Sequence, residues 1–496
     1  MHRRSNRSVF WLSDPRRPCC GRPGSGVVTS VVWFRRDLRL NDHPALTAAV
    51  DAGGDVYPVF VLDPALLEGR WASANRTAFL LETLRCLDAG LRDRGSRLHV
   101  RTGDPRLVIP SLAAQLGATG VFVSRDYAPY GRARDLRVRA DLESAAIRFH
   151  EVHGGLVVGP GDLVPAGAVP PHSYSQFKKR WDAIPLRVPH SRPAHIRTPG
   201  VLDAGALPSA GPRRLELPAA GEAAAQMRLA HFLDSPVASY GSERDMLGLE
   251  TATSRISQDL RFGLLSPVEV VTRARAHGPL AEKFVAEVAW RDFYAHQLWH
   301  NPRLLREPMD IRFQQFPWRF DAADFAAWGE GRTGYPLVDA AMRQLAATGL
   351  MHNRARMVAA SFLVKHLLID WRIGEQFFMR RLVDGDPASN NGGWRWTAGC
   401  GAGAQPFFRI FSPILQGKRF DPGGEYVRRW LPALRDVPAE FVHAPWEMPE
   451  QLQVRTHCLV GRDYPAPIVD HREARQRALD AFAMLKRASI SPNQDF

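Results

Sequence analysis

From residue 30 onward the apolar positions first fall in short unbroken runs. Residues 30–34, 55–62, 97–102, 120–124 and 149–153 have the length and β-branched content of buried strands. Between them, 42–51, 73–94, 105–116 and 131–146 read as helices. Strands that alternate with helices predict βαβ units, and so a parallel sheet covered on both faces. Asn41 or Asp42 offers the N-cap of the first helix. This first unit is expected to span 30–153.

The period then changes. Residues 154–225 are punctuated by Pro170, Pro171, Pro185, Pro189, Pro193, Pro199, Pro208 and Pro212, which predicts a linker or surface wrap. Only 174–181 reads there as a local turn or helix. Beyond residue 226 strand signals largely vanish. Val338, Ala341, Met342 and Leu345 recur at i, i+3, i+4 and i+7, with Gly349 placed to end the helix. Residues 357–371 read as another apolar helix. An all-helical unit is expected over 226–480, followed by a tail at 481–496.

Composition narrows the picture. The chain has 496 residues, too many for one ordinary core. Its net charge of +14 favours a polyanionic partner. Residues 1–30 hold six Arg against one Asp, so part of that surplus lies in a segment expected to be a disordered leader (1–29). The leader lacks the apolar centre of a secretory signal. No apolar run reaches the length of a membrane span. Cys19, Cys20, Cys86, Cys400 and Cys458 are scattered and form no CxxC pair. They support neither a disulfide framework nor a zinc or iron–sulfur site, and a reducing cytoplasm is expected.

Candidate chemistry is concentrated in the second unit. The stretch 384–396 gathers Asp384, Gly385, Asp386, Asn390, Gly392, Gly393, Trp394 and Trp396. Gly, Asn and Pro weaken helices. This composition therefore reads as a poor core helix and suits close approach of a large planar ligand, with carboxylates and amides for polar contacts and indoles for stacking. In EVAWRDFY, helical spacing puts Glu287, Trp290, Arg291 and Tyr294 on one face. That face is either a polar ligand surface or a Glu–Arg pair beside a core Trp. Tyr240, Arg244 and the run Thr253, Ser254, Arg255, Ile256, Ser257 supply hydroxyls, amides and guanidinium groups suited to phosphate, or else a plain helix cap. His352 has no metal-ligand partner at suitable spacing, so no metal site is expected. No GxGxxG follows the first strand.

With these motifs the chain resembles the DNA photolyase/cryptochrome family, from Val31 to about Arg475 and most strongly over 335–421. The resemblance implies a Rossmann-like parallel α/β unit followed by an all-α, FAD-binding one. FAD would be held by Tyr240, the Thr253–Ser257 run, Arg356 paired with Asp384, Gly385, Asp386, and Asn390 near flavin N5. Asn at that last position is typical of photolyases. Here Ala252 replaces the customary Gly, and the interval from Tyr240 to Thr253 is one residue longer than the usual family spacing.

By the same resemblance, which is nearest to class I cyclobutane-dimer photolyases, Glu287 would hydrogen-bond a flipped-out pyrimidine dimer. Trp290 and Trp396 would flank the lesion. Asn353 and Met357 would meet it, and Arg244 and Arg291 would help to bind the DNA. Met357 departs from the His pair of photolyases for the (6-4) lesion. Trp394, Trp371 and Trp318 would form an electron relay from flavin to surface. The implied activity is light-driven dimer repair by a monomer, with a cryptochrome-like photoreceptor as the alternative. The loop Ser124–Arg132 resembles an antenna loop, with Arg76 and Asp126 as ligands of a deazaflavin ahead of methenyltetrahydrofolate, although Ala128 stands where Glu is common.

Overall fold

Five strands form one parallel sheet in the order β3-β2-β1-β4-β5. They are β1 (Thr29–Phe34), β2 (Asp55–Leu62), β3 (His99–Thr102), β4 (Gly120–Ser124) and β5 (Arg148–Val152). The structure is a computed structural model that describes residues 28–209, 216–402 and 409–487. The expected leader up to residue 27 and the tail from 488 lie outside the described residues.

The helices that position the site are α1 (Pro44–Asp51), α2 (Ala74–Arg92), α3 (Pro105–Gln115), α4 (Pro129–Ser144), α5 (Tyr174–Ala183), α6 (Ser257–Phe262), α7 (Glu282–His300), α8 (Pro336–Thr348), α9 (Asn353–Ser361), α10 (Trp371–Arg381), α11 (Pro387–Ala398) and α12 (His471–Arg487). Apart from β1–β5, no strand occurs among the described residues beyond isolated bridges. The α/β plus all-α architecture is as the pattern predicted. α12 runs on past residue 480, into the expected tail.

Three expectations need correction. The first helix is capped by His43, whose Nδ1 accepts the Leu46 N–H at 3.0 Å. Asp42 instead turns into the left-handed region (φ 47°) and its carboxylate accepts the His190 N–H at 2.8 Å. Asn41 gives its side-chain amide to Glu269 at 3.0 Å. Residues 357–371 do not form one helix. α9 ends at Ser361, the backbone widens into a π-helix over Phe362–His366, and α10 begins afresh at Trp371 behind an Asp370 cap. The third correction, helix α11 in the segment read as a poor helix, belongs to the site below.

The described residues of 154–225 wrap the sheet unit. Val56 N–H bonds Arg197 O at 2.8 Å, and Val100 N–H bonds Ala204 O at 2.7 Å. One apolar core runs from the sheet (Val32, Phe34) through Phe177 and Trp181 into Phe284 and Phe293 of α7. The two units are thus joined by shared packing.

Candidate active site

α11 is the centre of the site. Asp386 starts it, with Oδ1 accepting the N–H groups of Ala388 at 3.0 Å and Ser389 at 2.9 Å. Pro387 occupies the first helical position, where its missing N–H costs nothing. Gly399 ends the helix in the left-handed region, φ 86°. Tertiary packing overrides the weak local propensity, because small residues are needed where α11 crosses its neighbours. A methyl on Gly392 would run into the Tyr294 ring of α7, and one on Gly374 of α10 would run into the Trp394 indole.

The remaining face of α11 is half-open and carries Asn390, Gly393 and Trp396. Asn390 is held from behind: its Nδ2 donates to the Glu375 carbonyl at 3.0 Å and to Glu375 Oε1 at 3.3 Å. Glu375 is buried, and that burial pushes its carboxyl up to about 7.

The approach to α11 is dense in charge. Arg356 Nη2 donates to Asp384 Oδ2 at 2.8 Å, while Asp384 Oδ1 is buried with no partner among the described residues. Arg261 of α6 donates to Gly385 O at 2.7 Å. Asp386 pairs through Oδ2 with Arg36 of the sheet unit. Burial alone would raise the Asp386 carboxyl, but Arg36 and Arg261 hold it well below the carboxylate range.

Across from this face, Glu287 pairs with Arg244, not with Arg291. Trp290 is half-buried beneath Tyr174 of α5. Asn353, at the start of α9, is exposed, and its Nδ2 lies 3.7 Å from Met357 Sδ one turn on. His352 is a helix cap, accepting the Arg354 N–H at 3.1 Å. Arg291 leaves the face assigned to it: its guanidinium donates to Gly155 O at 2.9 Å, toward the sheet unit.

Tyr240 is buried against Phe232 and Phe284. Thr253 and Ser254 are partly exposed, and Ser257 opens α6 behind Ile256. Arg255 takes φ 52°, and its guanidinium turns outward, 3.9 Å from Glu250. Of the three tryptophans expected to form a relay, Trp371 and Trp394 are buried in one cluster, and Trp318 packs half-buried on its edge.

Arg76 and Asp126 are not brought together. Arg76 donates to Leu382 O at 3.0 Å, on the approach to α11. Asp126 caps its own loop, accepting the Ala128 N–H at 3.0 Å, and lines a cavity with Arg35, Arg36, Tyr127, Arg291 and Asp386. That cavity lies beyond the carboxyl ends of β1 and β4, where the strand order reverses, which is the usual ligand crevice of an open α/β sheet. The charged run after β1, Arg35-Arg36-Asp37, is a sequence signal that could have marked it, and sequence reasoning passed over it.

Two family models match this chain, one described as DNA photolyase over residues 30–195 and one as the FAD binding domain of DNA photolyase over residues 284–484. A deoxyribodipyrimidine photo-lyase from Streptomyces griseus is 41% identical over 460 residues, covering 90% of this chain and 98% of that protein. The chain belongs to the DNA photolyase family. Among solved structures, a bacterial class III photolyase from Agrobacterium tumefaciens superposes with a TM-score of 0.89 at 37% identity, covering 94% of this chain and 99% of the other. The Synechocystis cryptochrome gives 0.86 at 30% identity, with 92% and 100% covered. Within this photolyase-family chain, sequence reasoning missed Glu375, Tyr174, Arg36 and Arg261. Tyr174, Arg36 and Arg261 act across large sequence separations and Glu375 acts from the neighbouring helix α10, which no local motif reports.

Proposed function

We propose that this chain is a deoxyribodipyrimidine photo-lyase, which binds FAD against the open face of α11 and uses light to split cyclobutane pyrimidine dimers in DNA. The observation that carries the reading is that Asn390, Gly393 and Trp396 share one half-open face, with the Arg356–Asp384 pair at its head. The residues present fit a large planar group with polar edges. Asp384 keeps one buried oxygen without a partner. A side chain at Gly393 would meet nothing from the rest of the described chain within 4 Å, although its neighbour Gly392 is tightly packed.

When bound and reduced, FAD supplies the light-driven electron that opens the dimer. The protein's part is geometry and electrostatics. Arg356 and Asp384 hold the edge of the cofactor, Asn390 offers it an amide, and Tyr240 with the Thr253–Ser257 run binds the diphosphate. Trp290 and Trp396 stack on the flipped-out lesion, and Glu287, Asn353 and Met357 meet its polar and apolar edges. Arg244 pairs with the Glu287 carboxylate and orients it. Trp394, Trp371 and Trp318 would offer oxidisable indoles along a path from the surface toward the flavin site. The basic surplus attracts the DNA backbone, so binding should weaken with salt. The interdomain cavity, lined by Arg35, Arg36 and Asp126, would hold a second, light-harvesting chromophore of the deazaflavin class.

The deciding experiment is light-dependent repair of a thymine dimer in an oligonucleotide. Restored thymines in the light and none in the dark support the reading. The second reading, a photoreceptor, is favoured by the likeness to the Synechocystis cryptochrome. An unrepaired dimer with FAD bound and light-responsive would select it.

A further inference from the structure

The connector between α10 and α11 is held by side chains from both units of the protein. In the helical unit, Arg356 reaches Asp384 at 2.8 Å and Arg261 reaches the Gly385 carbonyl at 2.7 Å. In the sheet unit, Asn75 donates to Arg381 O at 3.0 Å and Arg76 to Leu382 O at 3.0 Å, both from the first turn of α2. Arg36, two residues beyond β1, pairs with Asp386 itself.

The last contact differs in kind from the others. Asp386 does two things with one carboxylate: Oδ1 caps α11 while Oδ2 takes the Arg36 guanidinium. Rotation of that side chain would break both bonds. α11 depends on its cap, because Asn390, Asn391, Gly392 and Gly393 all favour other conformations. Arg36 leaves from the central strand of the sheet, so its base is rigid.

We propose that Arg36 is a positioning residue of the flavin site: acting from the sheet unit through Asp386, it sets the first turn and hence the orientation of α11. This rests on the FAD reading above. It gives the sheet unit a role in cofactor binding and repair that is separate from light harvesting, and it needs no second chromophore.

The test uses the full chain as wild type, Arg36→Ala, Arg36→Lys and Asp386→Asn, together with the Arg36→Ala/Asp386→Asn double variant. FAD affinity is read by fluorescence as deflavinated protein takes up the cofactor. The visible circular dichroism of bound FAD reports its orientation, and thermal unfolding of the apoprotein reports the fold. Arg36→Ala should weaken FAD binding about tenfold or more, the worth of one charged hydrogen bond. It should alter the flavin dichroism and leave the unfolding midpoint nearly unchanged. Arg36→Lys, which keeps the charge, should recover most of the affinity. Asp386→Asn preserves a good cap and should lose a similar amount, with the double variant no worse than either single one.

Wild-type affinity and dichroism in Arg36→Ala would overturn the proposal. So would a loss that tracks a fall in unfolding midpoint and is not rescued by Lys, since Arg36 would then only be holding the two units together. Failure of the wild-type protein to take up FAD would instead bring down the flavin reading itself.

Discussion

Tyr174 lies flat on Trp290, with ring centroids 3.7 Å apart and planes 4° from parallel. The phenol is itself fixed, because its hydroxyl donates to Ala286 O at 2.7 Å. One face of the indole is therefore closed by protein, and only the rest of its surface is left for a base. The segment read as a wrap thus supplies the backing of the proposed lesion platform.

Loss of that platform should be specific to damaged DNA. Trp290→Ala is expected to cost about 1–3 kcal/mol in binding to dimer-containing DNA, the worth of one base–aromatic stack, and little on undamaged DNA. Tyr174→Ala should produce a smaller loss of the same kind, because the indole remains but loses its support. Titration of both variants against damaged and intact duplexes checks this. Equal losses on the two DNAs would make Trp290 a core residue.

Gly393 offers a test in which stability and cofactor binding move in opposite directions. Replacing a helical Gly by Ala stabilises by about 0.5–1 kcal/mol when the space is free, and here nothing from the rest of the described chain lies within 4 Å. Gly393→Ala should therefore raise the unfolding midpoint of the apoprotein. Its affinity for FAD should fall, because the methyl would stand on the face proposed to hold the cofactor. Unchanged FAD affinity would move the cofactor off this face.

The buried Glu375 carboxyl makes stability depend on pH. Its folded pKa of about 7 lies above the ordinary 4.5. The folded state thus binds the proton more tightly, and this contribution is full below about pH 4.5 and lost as pH rises to about 7. The shift is worth about 3 kcal/mol at about 1.4 kcal/mol per unit. Relative to wild type, Glu375→Gln should gain in unfolding free energy between pH 5 and pH 8. Denaturant titrations at several pH values test it, and a constant difference between the two proteins would mean that Glu375 titrates normally.

Trp394→Phe separates the relay from repair. Phe fills most of the space beside Gly374 and Phe378, so folding and FAD binding should survive a cavity cost of about 1–2 kcal/mol. Photoreduction of oxidised enzyme should slow sharply, while repair by chemically reduced enzyme persists. Photoreduction at the wild-type rate would leave Trp394 as packing alone.

The sequence by itself determined the two architectures and, within about two residues, most element boundaries of the sheet unit. Apolar runs such as 55–62 and the 338–345 stripe are local patterns, and burial on a sheet or helix face follows directly from their period. It also gathered the chemistry of 384–396 in one place. Only the tertiary structure decided that this stretch is a helix, since the Tyr294 ring and the Trp394 indole require small residues where α11 crosses α7 and α10. It alone gave Glu287 to Arg244, turned Arg291 toward Gly155, and parted Arg76 from Asp126. Such pairings join residues far apart in the chain, and packing selects them from partners that the sequence leaves chemically equivalent.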